Sequence, residues 1–178
     1  MKVVINIDGG SRGNPGPGAS AYVIKDTAGK MLAQEGYFIT HCTNNQAEYT
    51  ALRLALIKSA ELGAKELEII SDSLLLVKQY LGEYKIKNAD LAARMTEIRQ
   101  LARPFQIQIR HVLRHLNKEP DALANKAMDL QQSVGFNPIK NLHPAAKPDM
   151  VVNGVEVKPV VRTAKKTNKC SSQPSLFD

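Results

Sequence analysis

Four acidic residues stand where this chain turns from one element into the next. Asp8 closes an apolar run, MKVVINI. Asp72 closes a second, ELEIIS. Glu48 falls in the first turns of a helical stretch, and Asp121 opens another. Carboxylates gathered at strand ends and helix starts repel one another, so they need cations or must hold protons. Mg²⁺ prefers oxygen ligands and keeps part of its water shell. A pair of such ions can hold an attacking water and a leaving oxygen in line. Each acid also has a plainer reading when taken singly. Asp72 could cap a helix starting at Ser73, Glu48 could be a solvated helix residue, and Asp121 could be a favourable charge in a first helical turn. Asp8 is the hardest to dismiss, because it ends a continuous apolar strand. No Cys/His cluster is present to suggest a structural zinc.

The elements that must position these acids follow from period and punctuation. Residues 2–7, 19–26 and 31–39 read as strands, with a turn over 26–29 joining the last two. The period then changes, and residues 44–61 read as a helix that Thr43 caps with Gln46 as reciprocal partner; Gly63 stops it. A strand is expected over 66–72, helices over 73–82 and 90–103, a strand over 105–112 and a last helix over 117–135, with Asn117 as its cap and Pro120 in its first turn. The order βββαβααβα points to an α/β protein with a mixed sheet and helices packed against it. The right-handed crossover rule makes the strands ending near 72 and 112 parallel to one another or to the first. Ligands in open sheets of this kind bind at the carboxyl ends of the strands.

The chain has 178 residues and a formal net charge of +7, which suits one domain with an appendage and an anionic partner. No apolar run is long enough to span a membrane, and the short run before Asp8 is no secretory signal. Cys42 and Cys170 lie far apart in unlike contexts, so a reduced, cytoplasmic protein without a disulfide framework is expected. Residues 136–178 differ in composition, with seven Lys or Arg (140, 147, 158, 162, 165, 166, 169) and three acids (149, 156, 178). An Asn-Gly between valines predicts a hairpin over 150–157, and the final stretch reads as disordered.

Together, DGGSRGNPGPG (8–18), TNNQAE (43–48), SDS (71–73), VLRH (112–115) and NKEPDALAN (117–125) resemble the motifs of type 1 ribonuclease H, in that family's order. The resemblance covers roughly residues 1–135. It implies a five-stranded mixed sheet of order 3-2-1-4-5 with helices on both faces. It divides the chain into a catalytic domain, 1–137, and a basic C-terminal extension, 138–178. The implied activity is endonucleolytic cleavage of the RNA strand of RNA–DNA hybrids, leaving 5′-phosphate and 3′-hydroxyl ends. The implied cofactors are two Mg²⁺ ions, with Mn²⁺ as a substitute, held by Asp8, Glu48, Asp72 and Asp121. A hybrid- or duplex-RNA-binding module of weak activity is the competing expectation.

By the same resemblance, Asn14, Asn44 and backbone at Gly9 and Gln46 meet the RNA side of a hybrid, where the 2′-hydroxyl both donates and accepts hydrogen bonds. Asn45 and Thr43 meet the DNA side, Thr43 with the helix amides behind it on a phosphate. Arg12, Ser73, Lys85 and Lys87 complete the expected substrate contacts. The two glycines after Asp8 are expected to leave the backbone open for metal or hybrid. His115 matches the family histidine in its local pattern, yet only Leu116 separates it from Asn117, where better-known members have a longer loop. The tail QPSLF (173–177) is similar to the short peptide with which bacterial replication proteins grip the sliding clamp, with Gln173, Leu176 and Phe177 as anchors. A monomer is the default expectation.

Overall fold

The computed structural model describes residues 1–136. They fall within one compact unit, Met1–Asn141. The elements are β1 (Lys2–Ser11), β2 (Gly16–Asp26), β3 (Met31–Cys42), α1 (Asn44–Glu61), β4 (Glu66–Ser71), α2 (Leu74–Tyr80), α3 (Ala89–Ala102), β5 (Gln106–His111), α4 (Lys118–Leu130) and β6 (Val134–Phe136). The sheet runs β5-β4-β1-β2-β3-β6. β1 is antiparallel to β2 and parallel to β4, and β4 is parallel to β5. The mixed α/β class and the parallel pairing are as expected.

The sheet has six strands rather than five. The sixth arises where the last helix stops short. It was expected to run to 135, but it ends at Leu130, and Gln131 takes a left-handed backbone with φ 50°. A glutamine gives no stop signal, so the sequence pattern carries on to Gly135. After the stop, Ser133 accepts a bond from the Phe38 amide at 3.0 Å and β6 pairs with β3 from Gly36 to Gln34.

The sheet's two faces are covered unequally. Val3, Ile5 and Ile7 alternate toward one face, joined across the ladder by Tyr22 and Ile24. Ala51, Leu52, Ala55 and Leu56 of α1 pack there, with Leu76 of α2 and Leu91, Met95 and Ile98 of α3. The opposite face holds a smaller core, in which Ala19 and Ala21 meet Ala124, Ala127 and Met128 of α4. The helix carrying Glu48 and the helix carrying Asp121 thus grip opposite faces.

Close approach of both helices requires glycine in the sheet. A Cβ on Gly9 would lie 2.4 Å from the Ala47 carbonyl carbon and the Glu48 nitrogen of α1. A Cβ on Gly36 would lie 2.5 Å from the Leu123 carbonyl oxygen of α4. Gly9 therefore admits the helix, rather than keeping the front of the cleft clear as the sequence reading supposed. Residues 137–178 lie outside the described structure, and with them the expected extension, the 150–157 hairpin, Cys170, Gln173, Leu176 and Phe177. Among the described residues Cys42 is a buried free thiol, and no helix is long and apolar enough to cross a membrane.

Candidate active site

Asp8 does not end its strand. β1 continues to Ser11 because β2 stays paired with it through Ser11 and Gly18. What ends is the parallel partner: the last β1–β4 pair is Ile7 with Ser71. Asp8 and Asp72 are the next residues on each chain, so both stand over the carboxyl end of β4. Asp72 is free to do so because Ser73, not Asp72, caps α2, its hydroxyl accepting from the Leu76 amide at 3.4 Å.

Glu48 comes from the other side. Thr43 and Gln46 form the expected reciprocal cap: Thr43 Oγ1 accepts from the Gln46 amide at 3.2 Å and Gln46 Oε1 from the Thr43 amide at 2.9 Å. The cap fixes the start of α1, and the Ser20 hydroxyl ties the helix down by donating to the Ala47 carbonyl at 2.7 Å. Asp121 enters from the first turn of α4. All four acids line one cleft, together with Gly9, Gly10, Ser11, Arg12, Asn44, Ser73 and Arg114.

The cleft is strongly anionic. Asp8 is 8% exposed and Glu48 6%. Burial, and then the charges of Asp72 and Asp121, push Asp8 up to about 7; the Gly9 amide and Arg114 oppose this in part. Burial, and then Asp8 and Asp72, raise Glu48 well above the usual carboxylate range, again against Arg114. Glu48 Oε2 is buried without a hydrogen-bond partner. An orphaned carboxylate oxygen on the wall of a cleft lined by three further acids belongs to a donor set suited to a hard divalent cation. The carboxylates nevertheless line a common wall rather than forming a finished shell. Among the described residues, no three His, Cys, Asp or Glu side chains surround one point as metal ligands. Two of the four are turned toward protein partners: Asp72 Oδ1 accepts from Asn117 Nδ2 at 3.0 Å, and Asp121 Oδ1 from Arg114 Nη2 at 2.7 Å. A carboxylate can rotate about its side-chain bonds to give up such a partner, so the residues fit the ions in kind and place.

Asn117 corrects an expectation. It makes no side-chain cap for α4. It is 1% exposed, and its amide also donates to the Ile7 carbonyl at 2.8 Å and accepts from Asn6 Nδ2 at 2.9 Å. That carbonyl is where the parallel ladder stops, so Asn117 both closes the sheet end and orients Asp72. Asn before a helix reads as a cap in any sequence, and nothing local separates the two roles.

The expected substrate residues divide into two groups. Gly9, Arg12, Asn44 and Ser73 line the cleft. Asn14 borders it, its Oδ1 accepting from the Asn44 amide at 3.2 Å. Arg12 is paired with Asp129. Thr43, Asn45 and Gln46 sit at the α1 start beyond the cleft wall, and Gln46 Nε2 donates to Asp90 Oδ2 of α3 at 2.9 Å. Lys85 and Lys87 are exposed in the stretch between α2 and α3. His115 is exposed in a short 3₁₀ turn, Arg114–Leu116, and does not line the cleft; its neighbour Arg114 does. Arg114 was not singled out in the sequence, because only the turn decides which of the two side chains faces inward.

The Reverse transcriptase-like family matches residues 6–127, which include all four acids. The N-terminal RNase H domain of rv2228c from Mycobacterium tuberculosis, solved as a fusion, is 41% identical, with a TM-score of 0.70 over 72% of this chain and 100% of that one. The chain belongs to the type 1 ribonuclease H family. Ribonuclease HI of Halobacterium salinarum is 42% identical over 123 residues, 68% of this chain. This ribonuclease H chain spans 62% of that protein's length and 36% of the bifunctional protein Rv2228c. The structure of LC11-RNase H1 in complex with an RNA/DNA hybrid is 35% identical, with a TM-score of 0.69 over 72% of this chain and 98% of that one. The ribonuclease H fold of the family is thus the fold described above.

Proposed function

We propose that this protein is an endonuclease that hydrolyses the RNA strand of RNA–DNA hybrids, leaving 5′-phosphate and 3′-hydroxyl ends. The observation that carries the reading is the single cleft lined by Asp8, Glu48, Asp72 and Asp121, with the buried Glu48 Oε2 unpartnered. Family membership and the hybrid bound by the LC11 relative support the substrate class.

Asp8, Glu48, Asp72 and Asp121 would hold two divalent ions, Mg²⁺ or Mn²⁺. Bound there, the ions offset the charge that grows on the phosphate and favour ionisation of the attacking water. The chain's own residues do the rest. Gly9 seats α1 so that Glu48 reaches the cleft. Asn117 holds the Asp72 carboxylate. Asn14 and Asn44, linked at the rim, offer amide groups able to donate to and accept from a 2′-hydroxyl, which separates RNA from DNA. Backbone at Gln46 joins them on the RNA side, while Thr43 and Asn45 at the α1 start face the DNA strand, with helix amides suited to a phosphate. Ser73 and Arg12, the latter paired with Asp129, border the scissile linkage. Lys85 and Lys87 add screened contacts to the backbone further along the duplex. His115, exposed beside Arg114, would act on proton transfer or product release only after its turn moved.

The decisive assay compares wild type with Asp8→Asn on labelled RNA–DNA, RNA–RNA and DNA–DNA duplexes. Cutting of the hybrid with Mg²⁺, lost in the variant, supports the reading. Tight binding of hybrid with no cutting by wild type would leave only a binding module. The C-terminal lysines are proposed to add to hybrid affinity, so deleting residues 140–178 should weaken binding and flatten its salt dependence. The tail motif Gln173, Leu176 and Phe177 is proposed to engage a sliding clamp, which would bring hybrid removal and R-loop clearance to replicating DNA in the cytoplasm. A 169–178 peptide that fails to bind a clamp at high micromolar concentration would end that part.

A further inference from the structure

We infer that Arg114 is the resident counter-ion of the acid cleft, and that a divalent cation completes the site by displacing its guanidinium from Asp121. The inference deepens the metal-dependent reading above and rests on it.

Three observations meet at this residue. Arg114 Nη2 donates to Asp121 Oδ1 at 2.7 Å. It lines the same cleft as Asp8, Glu48 and Asp72, so its charge stands among all four acids. The other arginine of the cleft wall, Arg12, is engaged with Asp129. Arg114 thus supplies the positive charge that four crowded carboxylates need when no ion is bound. A lone pair given to a guanidinium is not available to a cation, and carboxylates sharing no ion spread apart.

The arginine is built to leave. Its side chain is 77% exposed and stands on a one-turn 3₁₀ segment, so its departure uncovers little apolar surface. Once released it stays at the cleft mouth, where a planar fork of donors suits a phosphate oxygen. Protein charge in the bare cleft is thereby exchanged for ion charge in the loaded one, and the guanidinium is handed to the substrate. Because arginine and cation compete for Asp121, Arg114 must weaken metal binding, and the metal must loosen Arg114 by the same factor.

The test is a calorimetric titration of MgCl₂, and separately MnCl₂, into the metal-free full-length protein as wild type, Arg114→Gln and Arg114→Lys. Arg114→Gln should bind the ion about fivefold or more tightly than wild type, with Arg114→Lys between them. Equal or weaker binding by Arg114→Gln overturns the inference. Wild-type NMR separates displacement from a change of field alone: the Nε–H resonance missing in Arg114→Gln should move to the free-arginine position as Mg²⁺ saturates. A resonance that stays in place overturns displacement. A purely structural arginine would instead lower the melting temperature of Arg114→Gln equally with and without Mg²⁺, which also overturns it. If folded wild type takes up no ion at all, or Asp8→Asn gives the same isotherm, the metal reading of the cleft fails as well, so the two failures are told apart.

Discussion

Gly9→Ala tests whether backbone contact between sheet and helix places Glu48 in the cleft. The added Cβ would lie 2.4 Å from the Ala47 carbonyl carbon, 2.4 Å from the Glu48 nitrogen and 2.7 Å from the Ala47 carbonyl oxygen. Carbon atoms in contact settle near 3.5 Å, so α1 must retreat by about 1 Å. The atoms struck are backbone, and no side chain can swing aside to absorb the shift. Glu48 is one of the residues struck, so its carboxylate moves with the helix. A misplacement of about 1 Å in a positioning group can lower turnover by about 100-fold. Overpacking of this kind costs about 1–3 kcal/mol in stability. For a domain this size that is about 3–10 °C in melting temperature. The control is Gly10→Ala, where the nearest atom to a new Cβ is Asn44 Oδ1 at 3.7 Å, an ordinary contact. Single-turnover cleavage of an RNA–DNA hybrid should fall about 100-fold in Gly9→Ala, with a fall in melting temperature that Gly10→Ala does not share. If folded Gly9→Ala keeps its single-turnover rate within about threefold of wild type, a change of about 0.6 kcal/mol, the argument that this contact sets Glu48 is wrong.

Three further outcomes follow from the same cleft. Asn117→Ala leaves the Ile7 carbonyl and Asp72 without a buried donor, and should cost about 2–3 kcal/mol in urea unfolding while lowering hybrid cleavage at least about tenfold. Glu48→Gln removes a buried charge that Asp8 and Asp72 oppose, so in EDTA its melting temperature should rise, by the equivalent of about 1–2 kcal/mol, while cleavage is lost. Asp8 is pushed up to about 7 from an unfolded value near 3.8, so the folded protein holds a proton there that the unfolded chain releases. Its contribution to stability is full below pH 4 and is lost as pH rises through 7. In EDTA, the melting temperature of wild type relative to Asp8→Asn should therefore fall between pH 5 and pH 8, and saturating Mg²⁺ should remove that fall; a difference independent of pH would contradict the burial argument.

Much of this protein is legible from local chemistry. Alternating Val3, Ile5 and Ile7 can only be a strand with one buried face. Thr43 and Gln46 announce the start of α1 by the bonds their side chains can make with nearby amides. The acids Asp8, Glu48, Asp72 and Asp121 were found because they stand beside such boundaries, and the motifs around them are specific enough to name a family. Each of these signals acts over a few residues, so the chain's order of types is sufficient to carry it.

Other features depend on partners far along the chain. The end of α4 at Leu130 and the sixth strand are set by pairing with Gly36, not by a stop residue. Gly9 is glycine because α1 passes over it, and its own neighbours do not show that. Asn117 looks like a cap and acts as a brace for Asp72, since Ile7 and Asp72 are brought to it only by the parallel ladder. Arg114 rather than His115 faces the acids because a single 3₁₀ turn sets the direction of both side chains. The sequence by itself determined which residues are acidic, which are apolar and where the chain can turn, because propensity and capping are short-range. Only the tertiary structure decided which acids meet and what neutralises them, because burial and Coulomb energy depend on distances in space that position in the chain does not encode.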